Sequence, residues 1–422
     1  MRSKNKAAVM NDEATPALMP KLRFPEFRGA EGWTLEAGNS LFEQISDQNP
    51  EPGLPVLAIT QEHGAIPRHI IDYHVSVTEK SIESYKVVRI GDFIISLRSF
   101  QGGIEYSGYH GICSPAYVIL RRSGEGSDEY FRHYLKTDRF IRILTKNLEG
   151  LRDGKMISYA QFSELKLSIP KPAEQQKIAE CLSSVDELIA AQARKVDALK
   201  THKNGLMQQL FPRDGENQTR RRFPEFHNAG EWDVRTIGDM FHLINGCAFK
   251  PEDWKLTGTP IIRIQNLNDP SAEFNYSQAP VLERNRIEPG DLLFAWSGTL
   301  GSSFGARVWN GPSGVLNQHI FKVLMDEQQI TLPFSLLVLA RVEEDIAKQT
   351  HGFKASFVHV KKSDLVKVEL PLPPHPEQQR IASCLSSLDA LITAETQKLE
   401  VLKAYKKGLM QQLFPSPEVV EA

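Results

Sequence analysis

The chain has 422 residues, 41% of them hydrophobic and 24% charged, with 28 glycines and 25 prolines. That is enough for two to four domains of roughly 100 to 200 residues, and it excludes a disordered, collagenous or disulfide-dense protein. The 50 Lys and Arg against 52 Asp and Glu leave a formal charge of −2, which argues against a strongly basic nucleic-acid module.

Residues 1–20 are polar and read as a mobile arm. They lack the apolar core of a signal peptide, and no run along the chain reaches the roughly 18 apolar residues of a membrane span. A cytoplasmic protein with no membrane partner is expected. The four cysteines, Cys113, Cys181, Cys247 and Cys384, stand far apart without C-x-x-C spacing, so neither a zinc site nor a disulfide framework is expected.

A globular stretch of mixed α/β (α+β) character follows over 21–170. It opens with Arg23-Phe24-Pro25-Glu26-Phe27 and Trp33. Phe93–Leu97 and Ala116–Leu120 are short β-branched or aromatic runs bounded by Gly or Pro, and read as strands. A helix is expected over Glu129–Asn147, and within it Phe131–Lys146 carries Arg132, Lys136, Arg139, Arg142 and Lys146 against a single acid, Asp138; the spacing predicts one basic face, solvated or touching phosphate.

Residues 171–212 form a long helix with Pro at each end and none inside. After a polar linker at 213–222, the pattern starts again. Arg222-Phe223-Pro224-Glu225-Phe226 and Trp232 open a second globular stretch over 223–373, with a strand at Ile320–Leu324 and a helix at Phe334–Gln349; a second long helix at 374–415 and a tail at 416–422 close the chain.

The two long helices match at 25 of 39 positions, Glu174–Pro212 against Glu377–Pro415, at a constant offset of 203. Between opening and helix only anchors match: Gly53–Leu57 with Gly258–Ile262, Gly91–Ile95 with Gly290–Phe294, Ser163–Leu165 with Ser363–Leu365. An internal repeat with constant ends and variable loops is one scaffold fitted to two targets.

Each long helix carries apolar residues in steps of four and three, a coiled-coil seam, interrupted at Gln192 and Lys203 and again at Glu395 and Lys406. An antiparallel register in which facing numbers total 598 would pair Lys203 with Glu395 and Gln192 with Lys406. Snorkelling of these side chains to solvent is the alternative. That register gives an overlap of about 42 Å, or about twelve base pairs of duplex. Gly205 and Gly408 sit in the last turns at a cost of ~1 kcal/mol each, a cost that a docking partner or a local kink would explain.

No catalytic cluster emerges. Gly150–Met156 is one residue short of a phosphate loop and lacks its Ser or Thr, His110 and Cys113 have no second metal-ligand pair, and Asp153 with Glu164 and Lys166 is an isolated echo of a nuclease motif. Binding residues are better represented. Thr60, Gln61 and His63 follow one strand, with Arg263, Gln265 and Asn266 at the matching place in the second half. Arg98, Ser99 and Gln101, and Ser297 and Thr299, follow the Gly-Asp strands; Arg152, Lys155, His351 and Lys354 lie in glycine-bearing loops before the long helices. Arg suits guanine, and Asn or Gln suits adenine, in the major groove. Asn317-Gln318-His319 enters a strand, which favours a structural role over base reading.

The Pro-x-x-Glu-Gln-Gln-(Lys/Arg)-Ile-Ala helices ending in Gly-Leu-Met-Gln-Gln-Leu-Phe-Pro, the Arg-Phe-Pro-Glu-Phe openings, Gly290-Asp291-Leu292-Leu293 and Ser114-Pro115-Ala116-Tyr117 together resemble the specificity subunit of type I restriction-modification systems over residues 21–415. The resemblance implies two target-recognition domains separated by two long helices in an antiparallel coiled coil with pseudo-two-fold repetition. Each domain would read half of a bipartite, asymmetric site on double-stranded DNA. It also implies a non-catalytic chain without bound cofactor or metal: two methyltransferase subunits would supply S-adenosylmethionine chemistry, and restriction subunits ATP and Mg. The alternatives are an enzyme, which lacks a catalytic cluster, and a non-DNA scaffold presenting two ligand-binding domains. Residues 31–170 carry 15 basic against 18 acidic side chains and 223–370 carry 14 against 18. Weak, salt-sensitive DNA binding by the chain alone is therefore expected.

Overall fold

The computed structural model describes residues 18–71, 82–146, 157–213, 216–350 and 357–415. The chain divides into two compact units, one running to Arg194 and resuming at Thr396, the other Lys195–Glu395. The long helices, Pro172–Leu210 and His375–Leu413, each begin in one unit and end in the other.

In the first unit a four-stranded antiparallel sheet has the order Phe42–Ile45, Val118–Arg122, Phe93–Ile95, Glu105–Tyr106. The second unit repeats it with Phe241–Asn245, Ile320–Met325, Leu292–Ala295 and Gly305–Val308. A two-stranded antiparallel ribbon, Thr34–Ala37 with Lys166–Ile169 or Asp233–Thr236 with Glu369–Leu372, leads in and out of each unit. The expected strands are thus present. They form because alternate β-branched and aromatic side chains pack into a buried core while the backbone pairs.

The repeated motifs at the helix starts are structural locks. Arg23 is buried and places Nε and Nη2 on the Glu174 carboxylate at 2.8 and 2.7 Å, while Nη1 and Nη2 also donate to the Ala30 and Glu31 carbonyls. Arg222 does the same with Glu377 at 2.7 and 2.6 Å. Gln175, also buried, donates to the Pro170 carbonyl and accepts from Ser127 N–H, and Gln378 repeats this with Pro373 and Thr331. Each lock satisfies every charge it buries, the condition under which a buried ion pair is tolerated.

The helix ends are plugs. Leu413 and Phe414 enter the first unit's core beside Trp33, Tyr130 and Tyr134, packed with Ile178 and Leu182 of the first long helix. Leu210 and Phe211 enter the second unit's core against Trp232, Phe334, Ile381 and Leu385. These contacts set an antiparallel pairing, and it differs from the expected one. Lys203 Nζ donates to Asp389 at 2.6 Å, Lys406 Nζ to Asp186 at 2.7 Å, and buried Glu395 is met by Lys195 at 2.9 Å. Facing numbers total 590 to 592, about one heptad from 598, so neither the Lys203–Glu395 pairing nor Lys406 with Gln192 sets the register. The twelve-base-pair figure falls with it. Burying a Phe and a Leu at each end is worth roughly 1.5–3 kcal/mol per side chain, more than partly exposed ion pairs contribute.

A second expectation also changes. In place of one helix over Glu129–Asn147 there are two, Asp128–Tyr134 and Asp138–Lys146. Ile104 N–H donates to the Leu135 carbonyl at the break, and Thr137 Oγ1 accepts from Phe140 N–H to start the next helix. The basic face is dispersed as a result. Lys136 lies 2.5 Å from buried Glu105, Arg139 is buried, and Arg132 pairs with Glu129 at 3.1 Å. Burial pushes the Lys136 pKa down and the Glu105 pKa up. No described helix is long and apolar enough to cross a membrane.

Candidate nucleic-acid interface

In the first unit the hairpin Leu57–Thr60 and Gly64–Pro67 presents its tip beside the segment Leu97–Gly102. Gln61 joins them, its Nε2 donating to the Arg98 carbonyl at 3.2 Å, and the Cα of Gly102 lies so close beneath the Gln61 side chain that a Cβ would collide with it. Thr60 is spent locally: its hydroxyl donates to the Gly64 carbonyl and accepts from His63 N–H. Ser99 is buried and its hydroxyl accepts Ser96 N–H, so it shapes the loop and is not open to a ligand. Gln61, His63, Arg98 and Gln101 remain exposed, together with Leu97 and Phe100, two apolar side chains that polarity-based reasoning passed over. Exposed apolar residues beside polar ones suit thymine methyls and base faces.

In the second unit Arg263 stacks on Trp254 with its guanidinium carbon 4.7 Å from the ring centroid, and donates to Asn275 Oδ1 at 2.9 Å. Asn266 is fully buried; its Oδ1 accepts Arg263 N–H and its Nδ2 donates to the Ala272 carbonyl, so its amide is consumed in holding the Arg263 turn. Gln265 is exposed and donates to the Glu273 carbonyl. Ser297 is buried in the strand pairing with Phe357–His359, and Thr299 N–H is taken by Ser303.

A cavity of ≈ 170 Å³ brings Arg263 and Gln265 together with Asn317 and His319. The triplet Asn317-Gln318-His319, read from sequence as structural, therefore borders the loop candidates. Trp296 stands behind it, with His319 at 5.3 Å and His359 at 4.6 Å between ring centroids, and its indole N–H donates to the Gln318 carbonyl. Burial first, and the neighbouring His359 second, hold the His319 pKa below the ordinary histidine value. With Gln318 Nε2 donating to its Nε2 at 3.2 Å, the neutral His319 ring carries its proton on the buried Nδ1. Two aromatic platforms and one anchored guanidinium are the features that no local motif announced.

Arg152, Lys155, His351 and Lys354 lie outside the described residues. Among the described residues, a Cβ added at Gly205 or Gly408 would meet nothing within 4 Å, so their packing does not require either glycine.

Residues 34–201 and 229–404 match the family model of the type I restriction modification DNA specificity domain, one copy in each half. The chain is similar to the type I restriction enzyme MjaVIII specificity subunit of Methanocaldococcus jannaschii, 23% identical over 357 residues that cover 81% of each protein. Among solved structures it is similar to a chain from work on the complex assembly and conformational transition of the type I R-M system, with TM-score 0.57, 18% identity, and coverage of 91% of this chain and 98% of that one. The S subunit from M. genitalium aligns with TM-score 0.51 and 17% identity over 94% of this chain and 100% of that one. With both halves matched and the repeated frame in place, the chain belongs to the type I restriction-modification DNA specificity family.

Proposed function

We propose that each unit reads one half of a bipartite, asymmetric DNA site, that the two long helices set the spacing of the half-sites, and that two methyltransferase subunits dock on this chain and carry the chemistry. The observation that carries this reading is the contrast inside the repeat. The locks and plugs are the same in both halves, while the exposed loops on them differ: Gln61, His63 and Arg98 in one, Arg263, Gln265 and His319 in the other. Reading residues on loops over a rigid frame give two specificities from one scaffold.

On this reading the chain itself is non-catalytic. S-adenosylmethionine would reside on the modification subunits, and ATP and Mg on restriction subunits. Genome-wide methylation mapping tests it: deleting the gene should erase one bipartite methylated motif. Arg263→Ala should relax only the half-site read by the second unit, by roughly 10- to 100-fold (1–3 kcal/mol) in discrimination at one position. Deletion of a heptad from both helices should shift or abolish the motif through its gap. An unchanged methylome after gene deletion would sink the proposal.

A further inference from the structure

The Arg263 side chain is fixed before any ligand arrives. Its planar head stacks on Trp254, with 4.7 Å from the guanidinium carbon to the ring centroid, and Nη1 donates to Asn275 Oδ1 at 2.9 Å. The main chain beneath it is held as well: Arg263 N–H donates to Asn266 Oδ1 at 3.1 Å, and its carbonyl accepts the N–H groups of Asn266 and Leu267. A surface arginine ordinarily loses rotamer freedom when it binds; here that loss has already occurred in folding.

Folding stability does not explain the tryptophan. The Trp254 indole N–H is buried and, among the described residues, has no acceptor, and a buried donor left unpaired costs free energy. A phenylalanine ring would avoid that cost. What tryptophan adds is the aromatic face that holds a cation best.

The polar groups left over around the ≈ 170 Å³ cavity define what it can bind. Arg263 keeps Nε and Nη2, which make no hydrogen bond among the described residues. Asn317 lies alongside, because its N–H donates to the Ile262 carbonyl at 3.0 Å; its Oδ1 accepts Gln318 N–H, so Nδ2 is the end left open. His319 supplies a ring wall, with Nε2 taken by Gln318 and Nδ1 buried. Gln265 spends Nε2 on the Glu273 carbonyl and keeps Oε1 as an acceptor. Held donors therefore dominate around Arg263. In the major groove guanine presents two acceptors, N7 and O6, and no donor. Adenine N6 and cytosine N4 would set donor against donor, and thymine offers a single acceptor.

We propose that Arg263 reads a guanine of the second unit's half-site through N7 and O6 in the major groove, and that Trp254 is the positioning residue that holds it there. The proposal rests on the reading that each unit recognises half of a bipartite site, and names one base of that site and the device that selects it. At the matching place in the first unit Thr60 and Gln61 donate to the Gly64 and Arg98 carbonyls, so the device belongs to the second unit.

The test co-expresses the chain with a type I modification subunit, reads the methylated motif by methylome sequencing, and measures binding of the complex to duplexes that carry it. Arg263→Ala should relax one position, and that position should be a G·C pair. Trp254→Ala should relax the same position by about tenfold, while Trp254→Phe, which keeps a ring and removes the unpaired donor, should hold it within about threefold at unchanged thermal stability. With the unaltered complex, 7-deazaguanine at that position should weaken binding about tenfold and adenine roughly 10- to 100-fold, whereas inosine, which keeps N7 and O6, should bind as guanine does. Loss of thermal stability and of affinity for all sequences alike in both Trp254 variants would make the tryptophan merely structural and overturn its positioning role. Relaxation at an A·T pair, relaxation nowhere, or equal weakening by Arg263→Ala on every sequence, the mark of a phosphate contact, overturns the guanine assignment while the functional reading stands. If the unaltered complex methylates no bipartite motif, the functional reading fails and the assignment fails with it.

Discussion

The same position in the two units holds a broken helix in one and an unbroken helix in the other. Asp128–Tyr134 and Asp138–Lys146 are separated where the Ile104 loop docks on the Leu135 carbonyl, whereas Leu332–Thr350 runs without interruption. Around both, the locks, the sheet order and the plugs are the same. The frame tolerates different inserts because its energy lies in the buried arginine, glutamate and aromatic side chains at the unit's base, not in the elements between.

Removing a lock is the hardest test of that comparison. Arg23→Ala strands Glu174 in the core and should cost about 3–5 kcal/mol. Arg222→Ala should cost less, because Arg222 is the more exposed of the two, 16% against 6% for the side chains. Denaturant titration gives the loss, and amide exchange should show it confined to the unit that was altered. Equal and global losses would break the picture of two similar frames with their own cores.

The two units should also respond to pH with opposite sign. His133, buried beside Ser183, Asp186 and Lys406, has its pKa lowered to about 4, by burial first and by Lys406 second. Its contribution is present above about 6.5 and lost as pH falls through about 4, because the unfolded chain takes up the proton more readily. Glu343, largely buried and accepting Ala306 N–H, has its pKa raised to about 7 by burial. Its contribution is present below about 4.5 and lost as pH rises through about 7. Each amounts to at most about 3 kcal/mol. Unfolding measured from pH 4 to 8 should therefore show opposing changes of slope in His133→Gln and Glu343→Gln.

A smaller effect isolates the broken helix. Gly103 has φ +82°, and a Cβ there would collide with the Leu135 carbonyl. Gly103→Ala should destabilise the first unit by about 1–3 kcal/mol. The smallest effect concerns register: a double-mutant cycle should give Lys203–Asp389 a coupling of about 0.2–1 kcal/mol and Lys203–Glu395 none.

Much of the frame was legible because it repeats. Identity at a fixed offset marks residues whose surroundings recur, and Arg23, Glu174, Gln175 and Phe414 turn out to be locks and plugs. The register was not legible, because the seam polar residues are nearly isoenergetic in neighbouring heptads and the terminal aromatics decide between them. Nor was the fate of individual polar residues. Ser99 and Asn266 look like ligand-binding side chains in sequence, but backbone N–H groups occupy them once the loops close.

By itself the sequence determined the internal repeat, the two long helices and the family, since those are periodic or local and survive any packing detail. Only the tertiary structure decided which charges meet. Glu105 takes Lys136 out of the basic face, Asp186 and Asp389 displace the seam partners, and Trp254 and Trp296 gather Arg263, His319 and His359 from three distant segments.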